Sequence, residues 1–171
     1  MYFPQYITTA LEDWVTNLYK RLGIYDPGEL KVSRICRYFE IFLKRKEMPS
    51  RFDIIGRYKA ITVDSRLTVQ KQREQFFHEL CHVLRHVGNQ SMMPEALREL
   101  QERDARHFTR YAALPFHMIR RYDLSDPDIL RILADDFRVS ESIVLERLLQ
   151  IERRSREFCT MQVAEKDIPF K

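Results

Sequence analysis

Glycine is scarce, with four residues in 171. A phosphate-cradling loop needs several glycines at fixed spacing, so nucleotide chemistry of that kind is not indicated. Cysteine is scarce and odd in number: Cys36, Cys81 and Cys159 show none of the paired spacing of a zinc ribbon. A disulfide framework or a cysteine-based structural zinc site is therefore not expected. No run of about 18 apolar residues occurs, as a membrane-spanning helix would need. The start, Met1-Tyr2-Phe3-Pro4-Gln5, lacks the basic and apolar regions of a secretory signal. The expectation is a cytoplasmic protein with no membrane partner. An excess of charge is also lacking. A net charge of +4, with basic and acidic residues interspersed, points only weakly to an acidic partner or nucleic acid.

What is present is enough for one packed core: 171 residues, 44% hydrophobic and 32% charged. Residues 75–87 hold the chemistry. They contain His78, Glu79, Leu80, Cys81 and His82, a His-Glu-x-x-His pattern in a stretch of helical period. Residues four apart lie on one helix face with Cβ atoms roughly 5–6 Å apart, so two imidazoles can converge on one metal. Glu79 sits about 100° round the helix from His78. It is badly placed as a third ligand and well placed to take a proton from a water. Phe76, Phe77, Leu80, Val83, Leu84 and Val87 give the helix an apolar surface, and burial obliges the imidazoles and carboxylate to find partners. Cys81 reads as a small buried side chain, not a nucleophile. His86 lies about 12 Å along the axis from His78, too far to share one ion with both unless the helix breaks. A place on the surface or behind the ligands is expected for it.

In chain order, residues 9–22 follow a helical period through Leu11, Trp14, Val15, Leu18, Tyr19 and Leu22, with Gly23 as the terminator. Asp26-Pro27 opens a second helix through Val32, Ile35, Cys36 and Phe39. Residues 40–46, 51–57 and 60–64 are β-rich and predict about three strands, with a hairpin at Tyr58-Lys59. The sheet is expected to back the metal helix and offer an edge to an extended substrate. After residues 72–87, Gly88-Asn89-Gln90-Ser91 breaks the pattern and Pro94 opens another helix. That helix carries Glu95, Glu99, Glu102 and Asp104, and spacing alone does not choose a third ligand among them. Asp126-Pro127 begins a further helix, and Ser140 is a good N-cap for one through Val144, Leu145, Leu148 and Leu149. Helix, short turn, helix also describes a DNA-reading motif, with Arg138 where the turn usually has glycine. Packing or protein docking is weighed above DNA contact for this stretch. Met161 onward reads as a mobile or docking tail.

The order of motifs resembles the ImmA/IrrE-type metallopeptidases. The chain has Ile61-Thr62-Val63-Asp64, Arg73, the His78–His82 motif and His86. Glu102-Arg103-Asp104-Ala105-Arg106-His107-Phe108-Thr109 follows, leading to Ala112-Ala113-Leu114-Pro115. It departs from the family at Cys81 for Gly, Arg106 for Asn and Thr109 for Ala. The resemblance selects Glu102 as third ligand beside His78 and His82, with Glu79 as the catalytic base. It implies an α+β, mainly helical fold: a small gluzincin-like core over residues 1–120 with a roughly three-stranded sheet. A helix-turn-helix-like region over residues 121–171 packs on that core, with the tail from about 161. It implies a zinc-dependent endopeptidase cleaving a helix-turn-helix transcriptional repressor to relieve repression in a mobile element or stress response. Manganese or iron also suits His, His, Glu. Tyr111, His107 and His117 are candidates for the oxyanion donor. The rival reading is a non-proteolytic metal-binding regulator that holds DNA or a repressor through residues 126–149.

Overall fold

The computed structural model of the protein describes residues 6–86 and 93–166, with side chains to residue 157. The first helix, α1 (Ala10–Arg21), starts at a reciprocal cap. Thr9 Oγ accepts from the Glu12 N–H at 3.1 Å, and Glu12 returns a bond to the Thr9 N–H at 2.9 Å. It ends as expected at Gly23, whose φ of +63° lets the Ile24 N–H close onto the Tyr19 carbonyl. The second helix differs from expectation. Asp26-Pro27 opens only a 3₁₀ turn, Pro27–Glu29, and α2 restarts at Val32–Phe39. The Glu29 carboxylate folds back onto the Tyr25 and Asp26 N–H groups, and the Leu30 carbonyl is taken by the Arg73 guanidinium at 2.6 Å. Those long- and short-range bonds compete with the helical ladder and break it.

Three strands follow: β1 (Ile41–Lys46), β2 (Arg51–Ile55) and β3 (Tyr58–Asp64), in spatial order β1-β3-β2. β3 is central, parallel to β1 and antiparallel to β2. The hairpin forms, but two residues earlier than its expected site, at Gly56-Arg57. Gly56 has φ +59° at the first turn position, where a two-residue loop favours glycine. Tyr58 and Lys59 thereby join the strand. From Ala60 to Asp64 β3 is buried throughout, because α3 (Val69–Arg85) packs across it. α4 (Glu95–Ala113) lies against α3, burying Gln101, Ala105, Phe108 and Ala112 at helical spacing. The break expected at Gly88-Asn89-Gln90-Ser91 lies outside the described residues.

A short helix after Pro115, α5 (Phe116–Ile119), was not legible in the sequence. α6 (Ile129–Phe137) and α7 (Glu141–Lys166) complete the fold, which is α+β and mainly helical. Ser140 gives its N–H and hydroxyl to Glu74 on α3, at 2.8 and 2.6 Å, tying the turn to that helix. α7 packs on α6 and α4 through Val144, Leu148 and Ile151, and runs to Lys166, into the stretch expected as a tail.

Arg138 ends α6 in the left-handed region, with φ +56°. A side chain there costs roughly 1–2 kcal/mol, whereas glycine adopts the conformation freely at some entropic cost. Arg138→Gly is accordingly expected to stabilise the fold by about 0.5–1 kcal/mol. The urea midpoint would move up with unchanged slope; a fall in the midpoint would contradict this account.

Candidate metal centre

The second half of α3 and the first half of α4 bring His78, His82 and Glu102 together. His78 Nε2 stands 3.1 Å from Glu102 Oε2, His82 Nε2 3.3 Å from Glu102 Oε1, and the two imidazole Nε2 atoms 3.3 Å apart. Donors on a tetrahedron around an ion at about 2.0–2.1 Å would be separated by roughly 3.3–3.4 Å. The donor set therefore fits a divalent metal in both type and spacing. Of the four carboxylates that α4 offers, Glu95 and Glu99 are exposed, and Asp104 turns to Arg85 and His86. Only Glu102 reaches both histidines.

His82 is 2% exposed, and burial pushes its pKa down to about 4, which keeps the imidazole neutral and its lone pair available. Its ring is fixed from two sides. Phe52 on β2 stacks on it at 5.3 Å and 12°. Its Nδ1 lies 2.9 Å from Nδ1 of His86, whose Nε2 lies 3.1 Å from Asp104 Oδ2. With its lone pair at Nε2, His82 carries its proton at Nδ1 and donates to His86, which donates in turn to Asp104. Arg85 holds the far end of this chain at 2.9 Å. His86 thus stands behind the site, at the residue where α3 ends, one of the two places expected for it.

Glu79, beside His78, is buried, and burial raises its pKa against the lowering influence of Ser50 and His78. The Ser50 hydroxyl donates to Glu79 Oε1 at 2.8 Å. No hydrogen bond occupies Oε2 among the described residues. Ser50 and Phe52, both on or next to β2, were missed in the sequence because nothing local marks a serine or phenylalanine as a neighbour of a helix 29 residues away. Cys81 is buried as expected. Its thiol contacts Asp104 at 3.7 Å and burial pushes its pKa up, so it is no nucleophile.

His78, Glu79, His82 and Glu102 line a cleft of about 960 Å³ whose opposite wall is formed by Ser50 and β2. None of the oxyanion candidates lines it. The Tyr111 hydroxyl accepts from Gln150 at 3.0 Å, His107 Nδ1 meets Arg110 and Gln150, and His117 Nδ1 meets Thr16 on α1. Proximity in sequence misplaced them: all three point into the packing of α4 and α5 against α1 and α7.

A peptidase family model described as the IrrE N-terminal-like domain matches residues 41–149, more than half of the chain. The chain belongs to the ImmA/IrrE family. Two relatives come from Bacillus subtilis (strain 168). The phage-like element PBSX protein XkdA is 34% identical over 146 residues, covering 84% of this chain and 74% of the relative. The protein YqaB is 32% identical over 147 residues, covering 84% and 85%. Membership makes this a metallopeptidase-like domain with a set of side chains able to hold a metal ion. Among the described residues no helix is long and apolar enough to cross a membrane.

Proposed function

We propose that the protein is a zinc-dependent endopeptidase that cuts a helix-turn-helix transcriptional repressor and so relieves repression in a mobile element or a stress response. The observation that carries the reading is the convergence of His78, His82 and Glu102 with a buried carboxylate, Glu79, beside them at one wall of a cleft. A zinc ion held by those three would supply a Lewis acid that lowers the pKa of a water and polarises a carbonyl. Glu79 holds and moves the proton. Ser50 fixes its Oε1, leaving Oε2 to take the proton from water and return it to the leaving amine. A purely structural site has no use for such a base.

β2 gives the cleft its substrate wall. Among the described residues it pairs with β3 alone, so its outer edge offers backbone groups to an added strand. The mobile-element setting is supported by likeness to a protein of a phage-like element. The first turn of α7, which would meet DNA in the rival reading, exposes Glu141, a charge that repels phosphate. The decisive assay is elemental analysis of protein purified without added metal, followed by incubation with repressors of the same genome and mass analysis of the products. A metal-loaded protein that cuts none of them yet binds duplex DNA with steep salt dependence would sink the peptidase reading.

The ligand assignment has its own test. Removal of His78, His82 or Glu102 is expected to abolish stoichiometric metal binding. His86→Ala is expected to keep one ion per chain while weakening affinity about 10- to 100-fold, because His82 loses the partner that orients its ring. Chelator competition reads both quantities. Loss of the ion from His86→Ala with retention in Glu102→Ala would reverse the assignment.

A further inference from the structure

A second cavity, of about 610 Å³, shares no lining residue with the histidine cleft. It lies among the 3₁₀ turn, α2, β1, β3, the first half of α3 and the α6–α7 turn. Leu30, Leu43, Val63 and Phe76 make its walls apolar. Lys31, Arg45, Arg73 and Arg138 also line it, and no aspartate or glutamate does. Such a volume and an apolar lining with a few convergent polar groups are the ordinary make-up of a small-molecule site.

The charges are the informative part. Some arginines elsewhere pair with carboxylates, Arg51 with Asp53, Arg66 with Asp64, Arg85 with Asp104 and Arg110 with Glu146. Around this cavity none of the four cations has a carboxylate partner among the described residues. Arg73 gives one bond to the Leu30 carbonyl and lies 5.2 Å over the Phe77 ring, but its buried Nε has no partner. Burial lowers its pKa and the neighbouring Arg138 adds to this, with Tyr19 acting the other way, so the cation is only partly compensated. Arg138 reaches the cavity from a left-handed backbone position that glycine would occupy at less cost. Its guanidinium, with no carboxylate partner among the described residues, stands at the cavity edge where an anion can meet it.

We propose that this cavity binds a small soluble amphipathic anion, a phosphate- or carboxylate-bearing molecule with an apolar body. The anion neutralises Arg73, Arg45 and Arg138 while its body covers Leu43, Val63 and Phe76. The proposal is independent of the peptidase reading, because it is read by binding alone.

The test titrates octyl phosphate, inorganic phosphate and octanol separately into the full metal-loaded chain by calorimetry, below the micelle concentration. Octyl phosphate is expected to saturate at one per chain and to bind at least tenfold more tightly than either of the others. Arg138→Gly and Arg45→Gln are each expected to weaken it about tenfold, with no fall in the unfolding midpoint to blame. Absence of octyl phosphate binding would overturn the proposal. So would parent affinity in both variants, or octanol binding equally well. Cosedimentation with phosphatidylglycerol vesicles without binding of monomeric octyl phosphate would replace the soluble ligand by a lipid surface and overturn it too.

Discussion

Glu79→Gln is expected to leave the fold and the metal content in place and to reduce peptide-bond cleavage on the order of 10²- to 10⁴-fold. That loss corresponds to roughly 3–5.5 kcal/mol of barrier. The substitution keeps the size and shape of the side chain, and the Ser50 hydroxyl can still donate to the amide oxygen as it does to Glu79 Oε1. What disappears is the group able to take a proton, and only the chemical step requires it. The substrate should therefore still bind, giving a complex in which intact repressor is retained. Cleavage by parent and variant is to be compared at matched metal occupancy, with recovery of uncut repressor on the immobilised variant. Equal rates would remove Glu79 from the proposed reaction without touching the metal site.

The second large effect concerns stability and lies far from the cleft. Arg147 on α7 is 0% exposed and donates to Glu12 on α1, itself 3% exposed. The same guanidinium reaches the Leu114 carbonyl at 3.2 Å, Gln150 Oε1 at 3.0 Å and the Tyr6 hydroxyl at 3.3 Å, and lies 4.7 Å over the Tyr111 ring. Three elements thus converge on one buried cation. Arg147→Met removes the cation and leaves the Glu12 carboxylate buried with Arg154 3.8 Å away as its remaining basic neighbour. The expected cost is about 3–5 kcal/mol, a drop on the order of 10 °C in melting temperature. Adding Glu12→Gln is expected to restore a large part of it, because an uncharged amide no longer needs the partner. If the single and double variants melt together, the loss comes from packing volume and not from the stranded charge.

The same arginine bears on the C-terminal helices. Helix, turn, helix was legible from Leu130 to Leu149, and the pattern by itself fits a DNA reader or a packing element. In the structure α7 turns Val144, Arg147, Leu148 and Ile151 into the core and leaves Glu141 and Glu146 outside. Its register, which local periodicity leaves open, is fixed by the partner at Glu12, 135 residues earlier.

Features that depend on neighbours within a turn or two are legible in residue order. Helical period and the Gly23 terminator set α1, and four-residue spacing put His78 and His82 on one face of α3. β-rich runs with a glycine between them set the sheet, although the turn settled on Gly56 because only that residue takes positive φ without strain. Which distant groups meet depends on packing. Spacing left Glu95, Glu99, Glu102 and Asp104 equivalent as third ligand, and family likeness selected Glu102. The packing of α4 on α3 brings Glu102 to both imidazoles and sends Asp104 to His86. Ser50 on Glu79, Phe52 on His82 and Arg147 on Glu12 have no local signature at all. Each of these contacts forms only after the apolar faces have fixed how helix and sheet lie together. Until then, a serine before a strand or an arginine in a helix carries no mark of the partner it will meet.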